Sequence, residues 1–351
     1  MAFTTFGTND PQTVKIWSKM AYREALKGTL LFRKLLGKDG DKRAVIYRHK
    51  DLEKSAGDTI KFDILMQAKG AGVTGDERQK DNEEAMVYHQ DSVVIDQLRN
   101  AHAFKRMSQQ RTIHNMRTDA QMNLSDWHAN KLETYWLRAQ CGDTSLTHGQ
   151  AATTPDAAHM SICGGQASEA EITSGDYITL DELDYAKEKA LMADPPLRPV
   201  RIEGAEYFVV ILHTYSVTDL KLNLGIGTYK WMDIQQYANV RGLKNPIFTG
   251  ALGVYNGMIL FESPRIYSPI ANVYRNLLLG SQAAAYAVGS AYDSADVGTY
   301  GKLEMSWHED VDDYGNEKGI SVGSIFGIKK VVFDSADYGT MTISSYSKAK
   351  R

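Results

Sequence analysis

The residues most suggestive of catalysis are a serine between two glycines in the last tenth of the chain. GISVG at residues 319–323 matches the G-x-S-x-G turn that presents a nucleophilic serine, here Ser321. That turn requires a helix after the serine and a histidine base later in the sequence. Residues 325–333 have instead a strand pattern, and the last histidine, His308, precedes the serine. A glycine-rich strand is the favoured interpretation, and a serine hydrolase using Ser321 is kept as an alternative.

Metal binding is the second chemistry to consider. The candidate zinc ligands are Cys141, His148, His159 and Cys163. Their spacing matches none of the usual zinc patterns, and two cysteines in a chain of this length are typical of small buried apolar residues in a reducing compartment. The acidic segment HEDVDDYGN at residues 308–316 resembles a calcium loop but has Tyr314 where a ligand should stand, so a solvated turn is predicted. We expect no metal and no cofactor.

A glycine-rich stretch, FTGALGVYNGMILFESPRI at residues 248–266, could in principle cradle a phosphate. A phosphate cradle runs from strand to glycine turn to helix, so that backbone amides gather at the helix N-terminus. Here Gly250, Gly253 and Gly257 are followed by MILF, which is a strand pattern. Tight turns and close backbone packing before a strand are therefore expected.

Basic residues are unevenly distributed. Residues 15–54 carry twelve Lys or Arg against five acids, in a chain whose formal net charge is −3. A second basic group precedes and enters a long helical pattern, and comprises Arg99, Lys105, Arg106, Arg111 and Arg117. Either group could meet nucleic acid phosphates or the acidic surface of a neighbouring copy, and solvation or local salt bridges would explain them equally.

Hydrophobic spacing indicates the helices and strands around these residues. With 43% apolar and 24% charged residues, the chain has the composition of a folded globular protein, without a signal peptide pattern or a membrane span. Residues 11–36 have helical spacing. GDTIKFDILM and MVYHQDSVVIDQL predict two strands of a long hairpin with a polar tip between them. Apolar steps of three and four from Ala103 to Cys141 predict one helix on the order of 50 to 60 Å long.

The second half of the chain mixes helices and strands. Thr179 and Glu182 form a capping-box pattern, which predicts a helix that ends before Pro195. YFVVIL at residues 207–212 predicts a buried strand, residues 220–240 predict one or two short helices, and residues 271–287 predict a helix or an extended segment. LEMSW, GISVGSIFGIKKVVF and GTMTISSY predict C-terminal strands. The expected fold class is α+β.

Assembled in order, these parts resemble tailed-phage major capsid proteins with the Hong Kong 97 fold. The closer resemblance is to the capsid family typified by coliphage N-four. It rests on GVTGDE, NEE and IDQLR within residues 72–99, and on NPIFTGALGVYNGMILFES at residues 245–263. It rests also on LLLGSQAA at residues 277–284 and DYGNEKGISVGSIFGIKKVVF at residues 313–333. The similarity extends over nearly the whole chain.

The resemblance implies a division of the chain. Residues 1–54 would form an N-terminal arm, 55–98 an extended hairpin called the E-loop, and 99–141 the spine helix of a peripheral domain. Residues 142–272 would be mainly an axial domain, and 273–351 would return to the peripheral domain. The E-loop would reach over a neighbour through its tip, which includes Gly72, Gly75, Asp76, Glu77, Glu83 and Glu84. The five basic residues from Arg99 to Arg117 are the candidates for contact with the genome.

The function implied is that of a non-enzymatic shell subunit. Copies would assemble into pentamers and hexamers of an icosahedral shell enclosing double-stranded DNA, in a virion built in the host cytoplasm. Portal, scaffolding and decoration proteins are further candidate partners, and no membrane is involved. The alternatives are an encapsulin-like compartment shell that holds an enzyme cargo, the serine hydrolase, and a DNA-binding protein that uses the basic arm.

Overall fold

The computed structural model describes residues 30–49, 57–66, 68, 70–202, 204–222, 253–289 and 305–350. Most of the predicted N-terminal arm, Gly250 and most of the helical pattern at 220–240 lie outside these ranges. The described helices are α1 Leu30–Leu35, α2 Arg106–Arg111, α3 Met116–Gln140, α4 Leu180–Met192 and α5 Thr214–Leu222. None of them has the length and apolar character that a bilayer span needs.

Seventeen strands are formed by the described residues. The first nine are β1 Leu36–Asp39, β2 Ile46–His49, β3 Thr59–Leu65, β4 Tyr88–Val94, β5 Asp96–Lys105, β6 Met160–Ile162, β7 Val200–Ile202, β8 Ala205–Leu212 and β9 Gly253–Tyr255. The others are β10 Met258–Glu262, β11 Val273–Leu279, β12 Ala284–Val288, β13 Met305–Asp312, β14 Glu317–Lys330, β15 Val332–Phe333, β16 Ala336–Asp337 and β17 Thr340–Tyr346.

A six-stranded sheet is organised around the long strand β14. Its order is β1-β2-β12-β14-β13, and β5 pairs with the free side of β14. Strands β5 and β13 are both antiparallel to the first part of β14, and β12 pairs with its last five residues. Because Phe326 pairs with both Val288 of β12 and Asp96 of β5, strands β12 and β13 follow one another along one side of β14, and β5 lies on the other side.

A seven-stranded sheet carries most of the core. Its order is β6-β17-β11-β8-β10-β9, with β7 beside β8. Because side chains alternate along β8, Val209 and Ile211 enter one core cluster with Trp136 of α3, while Val210 and Leu212 enter another with Leu183 of α4. The predicted buried strand is thus confirmed, and helices cover both of its faces.

The long helix begins later than the sequence predicts. Residues 96–105 form β5, residues 106–111 form the short α2, and α3 starts at Met116 with the Asn115 side chain accepting a hydrogen bond from the Thr118 amide. The expected single helix from Ala103, within the segment 99–141, was therefore wrong at residues 103–105 and 112–115, and α3 spans only about 37 Å. The reason is long-range pairing: β5 lies in register with β14, and the pairing buries Phe104.

The predicted hairpin is present. Strands β3 and β4 are antiparallel, with Thr59 opposite Val94 and Leu65 opposite Tyr88. At its base Ile60 and Val93 are buried in a cluster with residues of β12 and with Phe333. The face predicted to be apolar is therefore covered by the chain itself near the base, and only the distal stem and tip project.

The other local expectations can now be compared with the structure. The Thr179 hydroxyl accepts a hydrogen bond from the Glu182 amide at 3.2 Å, as the capping-box pattern predicts, and α4 ends at Met192, before Pro195 as expected. The segment at 271–287 is extended, because β11 and β12 join different sheets. The three C-terminal strand patterns correspond to β13, β14 and β17.

Candidate functional site

Ser321 lies in the middle of a strand. Within β14 it stands opposite His308 of β13 on one side and Ala101 of β5 on the other. The strand continues to Lys330, so the sharp strand-to-helix turn of a nucleophile elbow is not formed at this serine. The prediction of a glycine-rich strand is confirmed.

The four candidate zinc ligands have separate partners. Cys141 and Cys163 are fully buried free thiols in two different core clusters, and burial raises the pKa of Cys141 to about 12. His148 Nε2 bonds the Phe326 carbonyl at 3.1 Å, whereas His159 contacts the Asp156 carboxylate and the Pro195 carbonyl. Within the described ranges, no three such side chains gather around one point.

The glycine-rich stretch forms a hairpin as far as it is described. Gly257 has a φ of 72° in the turn between β9 and β10, and its neighbour Asn256 also has a positive φ. Strand β10 then runs parallel to β8 inside the large sheet. The expectation of a tight turn before a strand is confirmed for Gly257, whereas Gly253 is the first residue of β9.

The polar tip of the β3–β4 hairpin is stabilised by its own glutamates. The Glu84 carboxylate accepts a hydrogen bond from the Gly70 amide at 2.9 Å, and Glu83 accepts one from the Asp81 amide at 2.8 Å. Gly72 and Gly75 adopt positive φ angles, with open space where a side chain would stand. Asp76 and Glu77 are exposed. The first two carboxylates shape the tip, so Asp76 and Glu77 are the better candidates for contact with another molecule.

The distal stem of this hairpin exposes apolar side chains. Leu65, Met86, Val87 and Tyr88 are 50%, 74%, 50% and 62% exposed. Leu65 and Tyr88 stand opposite each other, so their side chains share one face. Exposed apolar residues gathered in this way mark a surface that another molecule covers. The sequence indicates this exposed apolar surface, because the apolar residues MVY follow an otherwise polar tip.

The five candidate genome-facing residues occupy β5, α2 and the start of α3. Lys105 forms an ion pair with Glu317 at 3.1 Å, and Arg117 forms one with Glu309. Arg99 and Arg106 are exposed, and Arg111 is half-buried. Two of the five charges are thus neutralised by acids of the β13–β14 hairpin, so the local positive field is weaker than the sequence indicates.

Two buried ion pairs that the sequence did not reveal join distant segments of the chain. Lys330 and Asp337 are both almost fully buried and lie 2.7 Å apart, and Asp337 also accepts a hydrogen bond from the Asp156 amide. Arg275 forms a two-pronged ion pair with Glu169, whose other contact is the Ser344 hydroxyl. These groups are satisfied inside the subunit and serve its fold.

Comparison with known proteins adds the family context. The family model described as phage capsid protein matches residues 5–349. The major capsid protein of Pseudomonas phage KPP25 is 26% identical over 380 aligned positions, which cover 95% of this chain and 93% of that protein. The capsid of Ralstonia phage GP4 superposes with a TM-score of 0.78 at 27% identity over the full length of both chains.

A more distant solved structure has the same architecture. The cyanophage Pam1 capsid asymmetric unit matches with a TM-score of 0.72 over 99% of each chain, at 19% identity, which concerns the fold alone. The expected α+β class and the Hong Kong 97-like layout are confirmed by these superpositions.

Proposed function

This chain belongs to the phage capsid protein family and is a structural subunit of a phage capsid, and we propose that its copies form pentamers and hexamers of an icosahedral shell around double-stranded DNA. The observation that carries the proposal is the projecting β3–β4 hairpin. Its base is packed against its own subunit, while its distal stem exposes Leu65, Met86 and Tyr88. A second copy is the natural cover for such a stem, because every subunit in a closed shell has identical neighbours.

The proposed roles of the chain segments follow the resemblance, adjusted to the observed elements. Residues 1–54 form the arm and 55–98 the E-loop that reaches a neighbour. Within 99–141, α3 is the spine helix of the peripheral domain, and β5 belongs to that domain's sheet. Residues 142–272 form most of the axial domain, and 273–351 return to the peripheral domain. The glycines and acids of the hairpin tip lie at the contact between copies.

The subunit contacts the packaged DNA without sequence specificity. Arg99 and Arg106 are the leading candidates, because Lys105 and Arg117 already have acidic partners. Phosphate contacts of this kind carry no sequence preference and weaken with salt. The subunit acts without catalysis, in a virion assembled in the host cytoplasm, and meets portal, scaffolding and decoration proteins as that assembly requires. Its subfamily is the one typified by coliphage N-four, a placement supported by the motifs at 72–99, 245–263 and 313–333.

The test is assembly of the purified chain, followed by light scattering and negative-stain microscopy. The wild type should form rings or closed shells, with scaffold added where the chain alone stays small. Met86→Ser should reduce assembly, whereas Met192→Ser, at an 82% exposed position on α4, is the matched control. A wild type that stays monomeric with scaffold present contradicts the proposal. Particles that protect an enzyme rather than DNA from digestion would indicate a cargo compartment instead.

A further inference from the structure

The turn between β13 and β14 presents a fully exposed tyrosine. Tyr314 has the greatest exposure, 110%, among the exposed large apolar side chains of the described residues. It stands in a run of three positive φ angles, at Asp313, Tyr314 and Gly315. A left-handed conformation costs an ordinary residue about 1 kcal/mol, and such residues concentrate where function requires them. Asn316 fixes the turn by donating hydrogen bonds to Asp313 from its side chain and its backbone.

The same turn is strongly acidic. Residues 309–317, defined here as the acidic turn, contain five Asp or Glu and no Lys or Arg. Glu309 and Glu317 are paired with Arg117 and Lys105. Three further carboxylates, Asp310, Asp312 and Asp313, are exposed, and their hydrogen bonds within the described ranges go to local amides. A tyrosine ring flanked by carboxylates is suited to a cationic partner, because cations bind both groups.

A surface of opposite charge lies on the same sheet, away from the acidic turn. Residues 30–49, defined here as the basic edge, contain six Lys or Arg against two Asp. Lys38, Lys42 and Arg43 are exposed on and beside the β1–β2 turn. Strand β1 is joined through β2 and β12 to residues 326–330 of β14, whereas the acidic turn joins β13 to the start of β14 at Glu317. The two surfaces of one subunit are therefore about 30 Å apart along β14, since Glu317 and Phe326 are nine positions apart in that strand.

We propose that the acidic turn of one copy docks on the basic edge of a second copy, with Tyr314 packed over a Lys or Arg of that edge. This inference rests on the proposed self-assembly and names one of its contacts. Two different, complementary surfaces at separate places on one subunit make a head-to-tail contact, which extends from copy to copy and can close into a ring or shell. The acidic turn repels DNA phosphates, which is why a second copy rather than nucleic acid is its partner.

The test is a charge exchange measured by light scattering, with the wild type in parallel. The acidic-turn variant Asp310→Lys/Asp312→Lys and the basic-edge variant Lys42→Glu/Arg43→Glu should each slow assembly roughly tenfold at low salt. Combining all four changes should restore most of the rate, because the pairing is re-formed with reversed signs. The control Lys131→Glu/Lys221→Glu alters two exposed lysines outside both surfaces and should assemble like the wild type. Tyr314→Asn tests the ring alone, since asparagine tolerates the left-handed turn.

The outcomes separate this contact from the proposed function. A wild type that fails to assemble contradicts self-assembly itself. If the wild type assembles and both charge variants match it, the docking proposal is wrong while the shell remains. Slowed variants that the combination does not rescue also overturn it, because the two surfaces would then meet other partners. Basic-edge variants that assemble normally but lose packaged DNA would assign that edge to the genome.

Discussion

Asp91 of the hairpin and Lys329 of β14 form a buried ion pair, although 238 residues separate them in the sequence. The second oxygen of Asp91 accepts a hydrogen bond from the Val332 amide at 3.1 Å, and both residues are less than a tenth exposed. A charged pair at this point fixes where the projecting hairpin leaves the body of the subunit.

Asp91→Asn should lower the free energy of unfolding by roughly 3 to 5 kcal/mol, because it leaves a buried ammonium without its counter-charge. Chemical denaturation measures the loss, and hydrogen exchange should show faster opening of β3 and β4. Asp63→Asn, at an exposed position of the same hairpin, should change stability by less than about 0.5 kcal/mol. Equal effects of the two substitutions would show that the pair does not hold the hairpin.

A second prediction concerns acid stability and His128. Its Nε2 lies 2.6 Å from the Ser324 hydroxyl in the core, and burial, with a smaller contribution from neighbouring His148, lowers the pKa of His128 to about 4. The unfolded chain binds the proton near pH 6.5. Between these values the unfolded state holds more protons, so stability is complete above pH 6.5 and is lost as the pH falls towards 4.

The loss attributable to His128 is about 3 kcal/mol at most. His128→Gln should flatten the dependence of unfolding free energy on pH in this window, while the exposed His114→Gln should leave it unchanged. Denaturation curves at several pH values measure both slopes. An unaltered slope in His128→Gln would assign the acid sensitivity to other groups.

Local patterns made part of this fold predictable, and long-range pairing decided the rest. The Thr179 cap and the hairpin alternation depend on neighbouring residues, and both were found from the sequence. The start of α3 was missed because β5 pairs with a strand more than 200 residues later, which overrides its helical spacing. Lys329 and Lys330 look like solvated charges in a sequence, yet each enters a buried ion pair on its own side of β14. The exposed apolar stem could be inferred only partly, since exposure depends on where the hairpin leaves the body.

A third prediction concerns Lys350, which contacts the fully buried Asp219 carboxylate of α5 and lies 4.9 Å from the centre of the Tyr177 ring. Lys350→Ala should destabilise the subunit by about 1 to 3 kcal/mol, because the buried carboxylate loses this charge-assisted contact. Lys348→Ala, two residues earlier and exposed, is the control. Thermal unfolding of both variants should separate them, and a shared midpoint would mean that Lys350 contributes no more than a solvated lysine.

The last prediction uses two glycines of the same strand. At Gly327 a methyl group would overlap the Val94 carbonyl and the Val93 side chain, whereas at Gly319 it would enter open space. β14 therefore needs a glycine where the hairpin base crosses it. Gly327→Ala should cost about 1 to 3 kcal/mol and displace β4, since backbone cannot yield as a side chain can. Gly319→Ala should be neutral or slightly stabilising, because it restricts the unfolded chain. Denaturation of the two variants, with hydrogen exchange of β4, measures the difference.

Because Gly327 lies beside the hairpin base, Gly327→Ala should also reduce assembly. If hydrogen exchange shows that the hairpin of this variant is displaced and the variant still assembles normally, the proposed role of the hairpin in assembly is contradicted.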